Sequence, residues 1–262
     1  MRDRNKEDSI LLAKIDDMIY RWKNDYTVEA TQFLDMHQRS VVENFLMLQN
    51  KGYAIGQKGR IDYRFFGGYE GAERVRCYLM QEYASTGDFH DICAIKVSYD
   101  NGERRLSHRD FLGSILGLGI KREKVGDIIV GEDHGYILLS ESILDFVLNN
   151  FCKVGRASVN VEIVPVESLS IYDAKYDDLR DTVASTRADN VISSMFNISR
   201  SKAAEAIKNG LVFCNNLELS KVDRQIQAGD KMALRGRGKA VLVEIGDKSR
   251  KGRTYIRFHR YT

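Results

Sequence analysis

Ser199, Arg200 and Lys202 crowd the first turn of a segment that reads as a helix, and Arg187 opens the helix before it. Lysine and arginine are unfavourable at the positive end of a helix dipole. A fold that places them there anyway has an anion to meet, because the free N–H groups of a helix N-terminus already favour phosphate. The alternative is a solvated basic face. Two further basic groups follow. Arg235, Arg237 and Lys239 surround Gly236 and Gly238, and Arg250, Lys251 and Arg253 surround Gly252. Gly236 and Gly238 would let their loop approach another backbone closely.

The elements that must position these residues are legible from Ser185 to Gly238. Thr186 is the expected N-cap of the first helix. Val191, Ile192, Met195 and Phe196 recur at helical spacing and form one apolar face. Asn197 breaks that helix. Ser199 caps a second, which carries Ala203, Ala204, Ile207 and the stem of Lys208. Gly210 stands where a left-handed C′ residue is wanted. Strands are expected around Leu211–Phe213 and Met232–Leu234, with turns at Asn215–Asn216 and Gly229–Asp230. The expectation is helix, sharp turn, helix, then a small curled sheet.

With 262 residues the chain can hold two or three domains. Apolar content of 43% and charged content of 29% are those of a globular protein. No apolar run approaches the roughly 20 residues needed to span a bilayer, so no membrane insertion is expected. The first residues are too charged for a signal peptide. Cys77, Cys93, Cys152 and Cys214 lie far apart, without a CxxC, and read as reduced thiols in a cytoplasmic protein. Net charge is +3, unevenly spread. Glu167 to Asp181 is acidic, whereas Arg235 to Thr262 is strongly basic and suggests a polyanion partner.

The fold class expected is α+β. Residues 1–90 read as a helical and hairpin region: a helix from about Lys6 to Lys23, a second capped by Asp35 and ending at Gly52, strands at Tyr53–Ile55 and Ile61–Phe66, and a helix near Ala72 to Tyr83. Residues 91–166 read strand–helix–strand–strand–helix–strand, the split βαβ, ferredoxin-like order shared with RNA-recognition folds. Their aromatic stacking signature is missing, and Tyr136 alone is weak evidence. Residues 167–181 read as an acidic linker, 182–242 as the domain carrying the helix pair, and 243–262 as a basic tail. Within the middle region His108 and Asp110 suggest acid–base chemistry, but positions this close on a helix do not share a face. The reading preferred is a capped helix followed by a loop. Lys121, Arg122 and Lys124 read either as phosphate contacts or as solvated charges.

The pattern Arg187-x-Asp189, Ser199-Arg200-x-x-Ala203, Ile207-x-x-Gly210-x-Val212-x-x-Asn215 and Gly229-Asp230 resembles the RNA-binding domain named after ribosomal small-subunit protein four, the S-four domain. It departs from that family at Ala188, where leucine is usual. The resemblance implies that Arg187, Ser199 and Arg200 meet an RNA backbone. Adding Gly67-Gly68-Tyr69, Ala72-Glu73-Arg74, the His108–Gly113 and Gly119–Asp127 runs, and Arg235-Gly236-Arg237-Gly238, the whole chain resembles the bacterial YlmH family. That resemblance implies a cytoplasmic, ribosome-associated quality-control protein. It would bind ribosomal RNA or tRNA on the large subunit, with peptidyl-tRNA, and support C-terminal tailing of stalled chains. Division proteins are a secondary implied partner.

The candidate RNA-binding set is Arg187, Ser199, Arg200, Lys202, Lys208, Arg235, Arg237, Lys239, Arg250, Lys251 and Arg253. No catalytic residue, metal site or cofactor is expected, since no Gly-rich phosphate loop, metal-ligand cluster or nucleophile elbow is present. The competing readings are a division-linked adaptor that also binds RNA, and an RNA-modifying enzyme with an S-four domain.

Overall fold

Asp35 caps α2 (Met36–Gln49) by a reciprocal capping box with Gln38, so the second helix begins where the sequence places it. The helix before it, α1 (Arg2–Asp25), lays Ile15, Met18 and Ile19 against Val42 and Leu46 of α2. The structure is a computed structural model describing residues 2–25, 29–80, 91–99, 106–131, 133–169 and 176–261. It divides into two units, Met1–Ile171 and Tyr172–Thr262.

In the first unit, β1 (Glu29–Ala30), β3 (Arg76–Met80) and β2 (Asp62–Phe66) form an antiparallel sheet in that order. Two expectations are corrected here. Tyr53–Ile55 is not a strand, because Gly52, Gly56 and Gly59 take positive φ and turn the chain repeatedly. The helix expected near Ala72 to Tyr83 is absent where it is described: 72–75 form a bend ending in a bridge of Val75 to Leu34, and Arg76–Met80 is the strand β3; residues 81–83 lie outside the described residues. Arg76–Leu79 are buried throughout, and a strand covered on both faces lacks the alternation that distinguishes it from a helix.

The five-stranded sheet of the same unit has the order β5-β6-β4-β8-β7. Its strands are β4 (Ile92–Tyr99), β5 (Val125–Val130), β6 (His134–Ser140), β7 (Lys153–Val154) and β8 (Ala157–Val164). With α3 (His108–Gly117) and α4 (Leu144–Asn150) between them, they follow the expected strand–helix–strand–strand–helix–strand succession with the two-residue β7 added before the last strand. One face carries Ile95, Val97, Ile137 and Leu139 against Phe111 and Ile115 of α3 and Val147 of α4. Phe33 and Tyr78 cover part of the other face, packing on Ile92, Ala94 and Leu138. Residues 1–90 and 91–166 are therefore joined by a shared core, not separate domains.

The second unit is a six-stranded antiparallel sheet, β11-β10-β12-β13-β14-β9, with one face covered by α5 and α6. The elements are β9 (Tyr176–Val183), α5 (Ala188–Met195), α6 (Arg200–Lys208), β10 (Val212–Cys214), β11 (Leu217–Glu218), β12 (Lys231–Leu234), β13 (Gly238–Lys248) and β14 (Thr254–Tyr261). Val191, Ile192, Met195, Ala203 and Ile207 are buried against Met232, Leu234, Leu242, Ile256 and Phe258. Asn197 (φ 49°) and Gly210 (φ 63°) make the left-handed breaks anticipated after each helix.

Three boundary expectations change. The acidic segment is not a linker where it is described: Tyr176–Val183 is β9, paired along its whole length with β14. Residues 170–175 of that segment lie outside the described residues. The basic stretch 243–262 is not a tail but most of β13, a turn and β14; Thr262 alone lies outside the description. The unit therefore extends past residue 242 on one side and before 182 on the other. The physical reason is the β9–β14 pairing and the burial of Ile256 and Phe258, across which Arg257 meets Asp178 at 3.0 Å and Arg260 meets Asp177 at 3.4 Å. The acidic and basic stretches are cross-strand partners.

Candidate nucleic-acid interface

Asp189 organises the helix pair. It sits in the first turn of α5, only 3% exposed, between two arginines. Arg187 Nε donates to Oδ1 at 3.2 Å, and Arg200 Nε donates to Oδ2 at 2.6 Å. Burial pushes the Asp189 carboxyl up, but hydrogen bonds from Arg200 and Arg187 outweigh it and hold the group below its ordinary value. Each guanidinium is thus held through Nε, and the Arg200 side chain remains 57% exposed. A guanidinium anchored by one edge can present the other to a phosphate with two parallel bonds.

The cap of α5 is Arg187, without a side-chain capping bond, and not Thr186, whose hydroxyl donates to Gln225 Oε1 at 2.6 Å. Ser199 caps α6 as expected: its Oγ accepts from the Lys202 N–H at 3.2 Å. Arg187, Ser199, Arg200 and Lys202 therefore belong together around the starts of α5 and α6. Lys208 lies in the last turn of α6, about 12 Å along the axis from Arg200 at 1.5 Å per residue. It is exposed but does not join the cluster.

The remaining candidates divide between the two ends of β13. Arg235 and Arg237 sit in the turn before it, and Arg237 lines a concavity with Phe196 and Asn197, directly before α6. Lys239 follows as a half-buried strand residue beside the buried Ala240. Arg250 and Lys251 are exposed in the turn after β13. An 11-residue strand spans roughly 35 Å, so this turn is remote from the one carrying Arg237. Arg253 folds back onto β9, where its Nε donates to Thr182 Oγ1 at 3.0 Å and its Nη2 to the Thr182 carbonyl.

The motifs of the first unit converge on a second buried carboxylate, Asp127. It accepts from Tyr69 Oη at 2.8 Å, Glu73 N at 2.7 Å and Arg74 N at 2.9 Å. Arg74 in turn donates to the carbonyls of Val125 and Phe33, and Arg122 to that of Val125. Burial, then the neighbouring Arg74, lowers the Arg122 guanidinium to about 10. Gly67-Gly68 serves this packing: a Cβ on Gly67 would stand 2.3 Å from the Arg74 carbonyl oxygen. Gly67→Ala is expected to cost about 1–3 kcal/mol, the usual penalty of overpacking, read as a lower melting temperature. Asp110 is committed to the cap of α3, accepting from Ser107 Oγ at 2.6 Å and Ser107 N at 2.8 Å. Tyr136 borders the core that Phe33 and Tyr78 make on its sheet face and stands edge-on to His134 at 5.0 Å.

Among the residues of the site, Asp189 is the one whose role the sequence did not disclose. Its signal was the acid two positions after Arg187, within the motif itself.

Fold and site together define an α+β chain of two units whose second unit holds a pair of guanidinium groups at adjoining helix starts. A family model described as "Putative RNA-binding domain in YlmH" matches residues 85–168. The "Ribosome-associated protein quality control protein P2" of Bacillus subtilis (strain 168) is 31% identical over 250 residues, 93% of this chain and 93% of its own. The solved structure "Cell division protein ylmH from Streptococcus pneumoniae" is similar with a TM-score of 0.51 at 26% identity, over 63% of this chain and 95% of that one. The chain belongs to the YlmH family. Among the described residues, no helix is long and apolar enough to cross a membrane.

Proposed function

We propose that this protein is a non-catalytic, cytoplasmic RNA-binding factor that works in ribosome-associated quality control. The single observation that carries the reading is the Arg187–Asp189–Arg200 arrangement beside the Ser199 cap. Phosphate is the ligand such an arrangement suits, since backbone N–H groups, helix dipole and a preset guanidinium all favour it. The helix–turn–helix followed by short strands supports an S-four reading of the second unit, and the order of β4 to β8 supports a ferredoxin-like reading of the middle of the first. The family model over residues 85–168 and the name of the Bacillus subtilis relative support RNA and the ribosome as partners. In this reading the RNA is ribosomal RNA or tRNA on the large subunit, and the protein assists C-terminal tailing of stalled chains. The name of the Streptococcus pneumoniae relative, a cell division protein, favours a second reading, a division-linked adaptor. Pull-downs with and without ribonuclease separate the two, because an adaptor keeps its partners after RNA digestion.

The test is a salt titration of the full chain on a labelled RNA hairpin and on purified large ribosomal subunits. Arg200→Ala should weaken binding about tenfold or more, the worth of a charged hydrogen bond. It should also flatten the slope of log affinity against log salt by about 0.7–0.9. Arg200 is one of two partners of the buried Asp189, so a loss of stability accompanies the change, limited by Arg187, which still pairs the carboxylate. Arg200→Lys should restore charge but not the anchored geometry, and recover part of the affinity. Wild-type affinity in Arg200→Ala on both probes would refute the site.

A further inference from the structure

Inward side chains on β14 run Ile256, Phe258, Arg260, because alternate residues of a strand share a face. The first two are 2% and 3% exposed in the core beneath α5 and α6. Arg260 stands directly opposite Ala240, which is fully buried. The strand period therefore calls for an apolar residue at 260, yet the row ends in an arginine. Arg260 lines an open concavity of about 500 Å³ with Phe196, Asn197, Gly236 and Arg237. That volume lies within the range of about 300–1,000 Å³ typical of small-ligand sites, larger than a bound water needs. Arg237 and Arg260, from separate elements, line it together with Asn197 and the nearly buried Phe196. Two of the lining residues, Asn197 (φ 49°) and Gly236 (φ 79°), have left-handed backbone. Asn197 is two residues before Ser199, at most about 7.6 Å between Cα atoms, so the concavity adjoins the start of α6. One acid stands by: Asp177 of β9 pairs with Arg260 at 3.4 Å, with side chains 50% and 33% exposed. A pair this exposed adds little to stability in water, and an arriving phosphate can displace it.

We infer that this concavity is a second phosphate subsite, in which Arg237 and Arg260 grip one phosphodiester of an RNA strand whose neighbouring phosphates meet α6. Asp177 is a positioning residue that holds Arg260 in the unbound state and competes with the phosphate. This rests on the reading that the second unit binds RNA through α6. It extends the interface to β14, a strand outside the helix pair and its flanking loop.

The experiment is the same titration on the labelled RNA hairpin, with full-length Arg237→Gln, Arg260→Gln, Asp177→Asn and the Asp177→Asn/Arg260→Gln double variant. Arg260→Gln and Arg237→Gln should each lower affinity about tenfold and flatten the salt slope by about 0.7–0.9. Asp177→Asn should tighten binding, and that gain should vanish in the double variant. Arg237 is exposed in a turn, so its variant tests the subsite even if Arg260→Gln melts early. If both glutamine variants keep wild-type affinity and slope while Arg200→Ala loses them, the subsite is wrong and the α6 reading stands. If the wild type binds no RNA, both fall. A gain from Asp177→Asn that persists without Arg260 would show a general charge effect and overturn the positioning role.

Discussion

Deleting residues 247–262 is expected to unfold the second unit, not simply to weaken its binding. The deletion removes β14, which sits between β13 and β9 and pairs with both. It takes Ile256 and Phe258 out of the core, where they are 2% and 3% exposed. Losing a buried isoleucine costs about 2–5 kcal/mol and a buried phenylalanine about 3–5 kcal/mol. The sum is comparable to the whole stability of a small domain, about 5–15 kcal/mol, before the lost strand pairing and the exposed face of β13 are counted. For the same reason a fragment of residues 182–242 should not fold, since it lacks β14, most of β9 and the end of β13. A fragment of residues 172–262 should fold alone. Circular dichroism melts of the three forms check this: one cooperative transition for 172–262 and none for 182–242. A cooperative melt of 182–242 would show that the outer strands are an accessory to the core.

Asp189→Asn should be the most damaging single substitution in the site, although Asp189 is not expected to touch RNA. The carboxylate accepts from both Arg187 and Arg200. An amide of the same shape can accept from only one, and turns its NH₂ toward the other guanidinium. Charged hydrogen bonds contribute about 1.5–3 kcal/mol each. Loss of one at a site 3% exposed should lower the melting temperature of the second unit by roughly 10–20 °C. RNA affinity should fall as well, because one arginine loses its anchor and the other keeps only a neutral acceptor. The sign is diagnostic. A carboxylate near a phosphate repels it, so neutralisation alone would tighten binding; tighter binding by Asp189→Asn at a temperature where it is folded would refute the anchoring role. pH supplies a further check. The Asp189 carboxyl is held below its ordinary value in the folded protein. Its contribution is therefore complete above the unfolded-chain value near 3.9 and is lost as pH falls through the lower folded value. The stability gap between wild type and Asp189→Asn should close only below about pH 4.

Local rules made much of this protein legible. The helix starts at Asp35, Ser107 and Ser199 were set by capping side chains close in sequence to the N–H groups they satisfy. The left-handed turns at Asn197, Gly210, Asn215 and Asn216 were set by residue types that tolerate positive φ. The apolar face of α5 followed from its period, and the strand–helix succession from β4 to β8 followed from alternating apolar runs. The basic character of the α6 start needed only the identity of Ser199, Arg200 and Lys202.

Long-range pairing decided the rest. An acidic run and a basic run 79 residues apart at Asp178 and Arg257 read as a linker and a tail, because single-sign charge is polar wherever it lies. Only the fold sets them side by side, and each then neutralises the other. β3 read as a helix because a strand buried on both faces has no alternation to reveal it. The two buried carboxylates were invisible for the same kind of reason. Asp127 collects donors from residues more than 50 positions away, and Asp189 draws on Arg200, 11 positions along. A buried acid is stable only when paired, and the partners that permit its burial are brought to it by tertiary structure alone.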